Sequence, residues 1–448
     1  MPGGARPPGR PDGAGEDTIV SGAVAASAVQ IGVYVLGFVA SVLIARGLGP
    51  AGRGEYYLPV TAGLTAMAVL HLSIESSNTF FFAERRFSLT QLSRSAGTFV
   101  LVVSPIGIGL LFLFYALADD SVFEGVDTLD FAIAAAVLPL QLHLLWMGGI
   151  LQLAKRLSRA QKALFMGAVV QLIVIATLYL LDELTVTVVL LAYAASIAVP
   201  WALQVRIAHG LVGVRPLVDR AVIRPVIRFA LKLHVGLVFS FLLLRADVFL
   251  VGYYLDAAAV GVYSLAVIFA ELGLMLTMPL VMAALPYQAE AAIRPAGELS
   301  FRVARVNGLI ALAVGAAFAA TLWLGIPVLY GTNFEDAYAA LVVLLPGIVA
   351  MALLRPLGNW LVRQERPGTM AGLAFGAFAL NCALNVLLIP ELGIIGASLA
   401  SSVAYAAFAV AYLGWGLRAA GLTLREGLFP RREELAQLRE LALGPLRR

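Results

Sequence analysis

An all-α polytopic membrane protein with about twelve transmembrane helices is what this 448-residue chain predicts, on three observations. Hydrophobic residues make up 61% and charged ones only 13%, against roughly 25% charged in an ordinary globular domain. Apolar runs of about 20 residues, the length that crosses about 30 Å of hydrocarbon, recur from end to end. Of the 31 Lys and Arg residues, 28 fall in tails and loops on one side of that reading. Short loops rich in cations stay in the cytoplasm, so both termini are expected there.

The elements follow in order. Residues 1–18, rich in Pro and Gly, read as a disordered tail. The first apolar run, 19–46, is far longer than a signal h-region and reads as a retained first span. Further spans are expected at 57–80, 95–117, 131–153, 163–181 and 185–206, completing a six-helix lobe over 19–206. In the segment 207–228 that follows, Arg220, Arg224 and Arg228 recur every four residues among Val222, Ile223, Val226 and Ile227. That pattern predicts an amphipathic linker helix lying on the cytoplasmic membrane surface. Spans at 229–253, 257–284, 306–329, 337–360, 368–390 and 394–417 make a second lobe over 229–418. The basic tail 419–448 carries a short amphipathic stretch from Arg431 to Leu443. Opposite loops are acidic or neutral, with Asp119, Asp120, Glu124, Asp127 and Asp130 in one and Asp182 and Glu183 in another. Only Arg46, Arg53 and Arg245 break the charge rule.

Composition also excludes functions. The net charge of +4 is scattered over successive cytoplasmic loops, which argues for contact with anionic lipid head groups and against nucleic acid. Lone Cys382 rules out an internal disulfide. His71, His143, His209 and His234 lack metal-ligand spacing, and no Gly-x4-Gly-Lys-Ser/Thr pattern for ATP appears. No cofactor is expected, and coupling to a proton or a sodium ion is left open.

Internal repetition is visible. Leu48-Gly-Pro-Ala-Gly-Arg-Gly54-Glu-Tyr56 and Leu255-Asp-Ala-Ala-Ala-Val-Gly261-Val-Tyr263 are both Leu-x5-Gly-x-Tyr, 207 residues apart. Each joins the first helix of a six-span half to the second, which implies two halves related by an axis along the membrane normal. Gly49-Pro50 with Gly52 and Gly54 predicts a tight turn where Pro stops span 1, and Ile389-Pro390 is expected to stop span 11.

The stretch Ile44 to Tyr56 resembles the first-loop signature of the polysaccharide flippases (Wzx-type) of the multidrug/oligosaccharidyl-lipid/polysaccharide exporter superfamily. Arg245-Ala-Asp247 with Gly261-Val-Tyr263, Val328-Leu-Tyr-Gly331 with Phe334, and Asn385 to Pro390 with Gly393 and Gly396-Ala-Ser398 match the same pattern. The resemblance runs from about residue 20 to 418. It implies a transporter and not an enzyme, one that carries a polyprenyl diphosphate-linked sugar across a bacterial-type cell membrane by alternating access between two lobes. Polysaccharide-assembly proteins are partners of the same implication. A cation-coupled small-molecule exporter of the multidrug branch is the alternative. A membrane sugar polymerase or ligase fits less well, because the longest outer loop, about 118–130, leaves little room for catalytic groups.

Charges inside apolar runs are the candidate site, since an ionised group at mid-bilayer costs at least about 2.5–3.5 kcal/mol. Arg245 and Asp247 lie in the outer half of span 7, Glu271 near the middle of span 8 and Glu75 toward the inner end of span 2. Two residues apart, Arg245 and Asp247 cannot share a helix face. Buried ion pairs that fix helix packing are one reading of these residues. On the functional reading, Arg245 meets an anionic diphosphate while Asp247, Glu271 or Glu75 compensates its charge or takes up the coupling ion. Arg46 most simply snorkels to the outer interface and Arg355 anchors the cytoplasmic end of span 10, with substrate contact the alternative for both. Gln141 and His143 in span 4, Gln171 in span 5, and Asn381 with Asn385 on one face of span 11 form a polar stripe. Interhelical hydrogen bonds explain such residues, and contacts to sugar hydroxyls are the competing role.

Overall fold

The computed structural model describes residues 14–118, 122–363 and 366–428. Among these, every regular element is helical: α1 (Ala14–Leu70), α2 (Ile74–Ala83), α3 (Leu89–Leu117), α4 (Thr128–Ala136), α5 (Leu138–Leu153), α6 (Leu157–Leu180) and α7 (Val186–His209) make the first half. The second half comprises α8 (Arg220–Leu243), α9 (Ala246–Tyr254), α10 (Ala257–Leu276), α11 (Met278–Glu290), α12 (Ile293–Tyr330), α13 (Asp336–Val362), α14 (Pro367–Ala420) and α15 (Leu424–Leu428). Helices satisfy their own backbone polar groups, as a span in lipid must. Large apolar side chains on their outer faces, such as Leu101, Leu110 and Val410, are left exposed, as suits contact with hydrocarbon.

Among the described residues, ten helical segments are long and apolar enough to cross a membrane, two fewer than the twelve spans expected. The difference lies in two segments, Val29–Ala83 with 55 residues and Pro367–Ala420 with 54, where about 20 suffice for one crossing. Each contains a glycine outside helical geometry, Gly49 (φ 68°) and Gly393 (φ 59°). Positive φ is open to glycine at little cost, so glycine makes the kink in both. The adjacent prolines do not: Pro50 continues as an ordinary first-turn residue and Pro390 stays helical.

Several expected spans are broken. Leu72 and Ser73, both left-handed at φ 52° and 50°, separate α1 from α2. Further breaks fall at Val137, at Leu244 with Arg245, and at Thr277. The basic segment also differs from the expected surface linker. Asp219 accepts from the Ala221 N–H at 3.0 Å, and α8 runs unbroken from Arg220 into the apolar stretch, so Arg220, Arg224 and Arg228 sit on the first turns of that helix. The expected helix from Arg431 to Leu443 lies outside the described residues, as do residues 1–13, Asp119 and Asp120.

The halves are joined through α1 against α10 and through α2 against α8. Gly54 and Gly261, the repeated glycines, meet there. A Cβ on Gly54 would strike the Ala257 carbonyl, and one on Gly261 would strike the Pro50 carbonyl and the Gly54 nitrogen. The Leu-x5-Gly-x-Tyr repeat therefore places its two bare backbones in contact at one end of the bundle. Arg53, buried at 3% exposure, locks the same crossing by donating to the Ser264 hydroxyl at 2.8 Å and to the Ser41 carbonyl at 3.0 Å.

Candidate functional site

The break between α8 and α9 frees Arg245 from the helix, and its Nη1 lies 2.6 Å from Glu271 Oε1 on α10. The guanidinium also stands 5.7 Å from the centre of the Phe241 ring. Neither partner is sealed, since the side chains are 13% and 31% exposed. Arg355 on α13 reaches the Met278 sulfur. Among the described residues, the ion pair of this site is that of Arg245 with Glu271.

Asp247, two residues on, does not join this pair. It is buried, and its Oδ2 accepts from the Tyr263 hydroxyl at 2.6 Å and the Ser401 hydroxyl at 2.9 Å. Asn381 donates to Ser401 at 3.1 Å, and Asn385 donates to the Asn381 side-chain oxygen at 3.0 Å. The Asn385 Oδ1 has no hydrogen-bond partner among the described residues. A buried carboxylate without an ion pair is held here by neutral donors, each of which stabilises its charged form.

A second set of polar groups lies within the first half. A cavity of about 890 Å³ opens between α1, α2, α5, α6 and α7, with Glu75, Gln141, Gln152, Gln161, Gln204 and Tyr193 in its wall. Glu75 follows the Leu72–Ser73 break and sits 3.3 Å from His71. Gln141 donates to the Tyr193 hydroxyl at 2.6 Å, while side-chain oxygens of Gln141, Gln161 and Gln204 have no hydrogen-bond partner among the described residues. Buried acceptors of this kind normally find a donor, and a polyol supplies many.

The remaining sequence candidates lie elsewhere. His143 accepts from the Trp201 indole at 2.9 Å, between α5 and α7. Gln171 is half-buried on α6 and is not part of the cavity wall. Arg46 does more than snorkel: its guanidinium donates to the Val328 and Leu329 carbonyls at 2.6 and 2.7 Å. These belong to the last turn of α12, whose carbonyls lack intrahelical partners and favour a cation. Sequence reasoning missed Tyr263 and Ser401 around Asp247, and Gln152, Gln161, Gln204 and Tyr193 in the cavity. Amides at the basic ends of spans 4 to 6 were the available signal for three of them.

Residues 19–292, more than half of the chain, match the family model described as polysaccharide biosynthesis protein. The chain belongs to the polysaccharide biosynthesis protein family. A search of curated protein sequences finds no match. Among solved structures, this family member resembles the lipid II flippase MurJ in an inward closed conformation, with TM-score 0.67 and 13% identity over 95% of this chain and 100% of that one. An inward-facing multidrug resistance MATE family transporter of the MOP superfamily matches with TM-score 0.60 and 17% identity over 86% and 94%. A MOP superfamily transporter from Pyrococcus furiosus, described as having a binding pocket of reverse polarity, matches with TM-score 0.52 and 16% identity over 89% and 93%. At such identities the likeness is one of fold: this polysaccharide biosynthesis protein has the helical fold of MOP superfamily transporters, and those relatives are transporters, not enzymes.

Proposed function

We propose that this protein moves a lipid-linked oligosaccharide from the cytoplasmic to the outer leaflet of a bacterial cell membrane by alternating access. On this reading the two 54- and 55-residue segments each cross twice, giving twelve spans in two lobes with both termini cytoplasmic. The observation that carries it is the Arg245–Glu271 pair at the break between α8 and α9. Arg245 and Glu271 stay partly exposed, at 13% and 31%, in the apolar part of the bundle, a place where charged groups are costly and mark a pathway. A diphosphate cannot cross hydrocarbon bare, and a guanidinium matches phosphate oxygens bidentately. The glutamine-lined cavity suits sugar hydroxyls.

Asp247 supplies the coupling. While it is charged, it offsets Arg245. A proton or sodium ion taken up among the oxygens of Asp247, Ser401, Tyr263 and Asn385 cancels that offset and strengthens the hold on the anion. By reciprocity the anion then strengthens the hold on the ion.

The test is translocation of lipid-linked sugar in proteoliposomes, normalised to folded protein. Arg245→Ala abolishes flipping, and Arg245→Lys recovers part of it because charge returns without the bidentate fork. Should Arg245→Ala combined with Glu271→Ala restore wild-type rates, the pair is structural and the head-group role is lost, since only an uncompensated buried charge was doing damage.

A further inference from the structure

At the end of the bundle opposite the glycine crossing, a cleft of about 330 Å³ lies between the halves, lined by Arg86, Arg224, Arg228, Lys232, Phe81 and Phe229. Its cations come from two parts of the chain well over a hundred residues apart. Arg224, Arg228 and Lys232 recur every fourth residue along one face of α8, where like charges at that spacing repel. Arg86 arrives from the end of α2 by a particular backbone route. Arg85 adopts a left-handed φ of 54°, and the N–H groups of Arg85 and Arg86 turn back to the carbonyls of Phe82 and Phe81. A non-glycine residue in that conformation is unfavourable, yet it brings the Arg86 guanidinium over the Phe81 and Phe87 rings at 5.3 and 5.5 Å.

The floor is rigid. Phe80 stacks on Phe229 with centroids 4.4 Å apart, and the Ser77 hydroxyl donates to the Val226 carbonyl at 2.9 Å. None of the four cations makes an ion pair among the described residues. Topology alone asks only that such charges be on one side of the membrane; it does not ask them to converge on one cleft from distant segments and against mutual repulsion.

We infer that this cleft binds the diphosphate of a membrane-anchored isoprenoid, so that the head group is captured at the mouth of the bundle before it reaches Arg245. A phosphodiester lipid carries a single negative charge and leaves most of four cations uncompensated. A diphosphate carries more, presents two sets of oxygens to guanidinium forks, and trails an apolar stem that the Phe81–Phe229 wall can cover. The inference rests on the transport reading for its substrate class. The site itself rests on charge and geometry alone.

The experiment measures binding of geranylgeranyl diphosphate to the full-length protein in nanodiscs of neutral phosphatidylcholine, with empty nanodiscs as background. Combined Arg224→Gln, Arg228→Gln and Lys232→Gln weakens binding by at least about tenfold and flattens its salt dependence. Arg86→Gln weakens it less, and restoring Lys at 224 and 228 recovers part. These side chains are exposed, so melting temperature stays at the wild-type value and separates loss of binding from loss of fold. Geranylgeranyl monophosphate binds more weakly, and the effect of the triple variant persists in an Arg245→Ala background. Unchanged affinity in the triple variant overturns the inference. Displacement of the diphosphate by equimolar phosphatidylglycerol also overturns it, in favour of a general phospholipid contact. Binding that depends on these residues in a protein that flips no lipid-linked sugar leaves the site standing and sinks the transport reading instead.

Discussion

Asp247 reads in the sequence as one of the charges of the candidate site and His143 as part of a weaker polar stripe, and the structure gives each different partners. His143 has a single task, accepting the Trp201 N–H. Replacing it by Ala strands that donor, at about 1–3 kcal/mol, and should lower the melting temperature without changing translocation per folded molecule. Asp247 organises a chain of groups from Tyr263 through Ser401 to Asn385. Asp247→Asn keeps its shape and removes its charge. Under the coupling scheme, wild-type protein gains thermal stability on titration with sodium ion or on changing pH, and Asp247→Asn responds to neither. An equal response in both proteins would make Asp247 a packing residue. The i, i+4 spacing of Asn381 and Asn385 was legible in the sequence and does put them in contact. The partners of Asp247 were not, because Tyr263 and Ser401 come from other helices and neither stands out by residue type.

At the scale of elements, the breaks matter more than the helices. Hydropathy finds apolar length, but it does not register φ, so the left-handed Leu72 and Ser73 and the irregular Arg245 left no mark on the expected spans. Each break positions a candidate group: Glu75 just past the first, Arg245 within the other. The glycine crossing offers a test with opposite signs. Gly54→Ala or Gly261→Ala forces a methyl into backbone and should cost about 1–3 kcal/mol, read as a lower melting temperature together with slower translocation. Gly63→Ala is the contrast. Its nearest neighbour, the Ala134 carbonyl, would lie at an ordinary 3.6 Å, so the helix should gain up to about 1 kcal/mol. Wild-type melting in Gly54→Ala would mean that the crossing is not close-packed.

For the whole molecule, class and approximate span positions follow from composition because lipid imposes length and apolarity on every crossing. Orientation rests on the cation count alone. It predicts that a cysteine at position 124, in a Cys382-free background, is labelled by an impermeant reagent from outside, whereas one at 159 is spared. Labelling at 159 from outside reverses the topology. What the sequence withholds is how the halves meet. Arg220, Arg224 and Arg228 read as a surface stripe until Arg86 is seen to face them, and Arg53 read as a stray loop charge until Ser264 is found beside it. Such pairings are long-range, and no local pattern encodes them.

The Arg53–Ser264 contact also sets a clock. Its partners are 211 residues apart, and synthesis at about 5–20 residues per second separates their appearance by roughly 10–40 s. Through that interval the turn around Gly54 has been made and its counterpart around Ala257 has not. A nascent chain in this state can give Arg53 its Ser41 partner but not Ser264, and the bare backbone at Gly54 awaits its cover from Ala257. The first half of the protein is therefore assembled around a surface that it cannot itself complete, and this period of synthesis is when premature partners have most access to it.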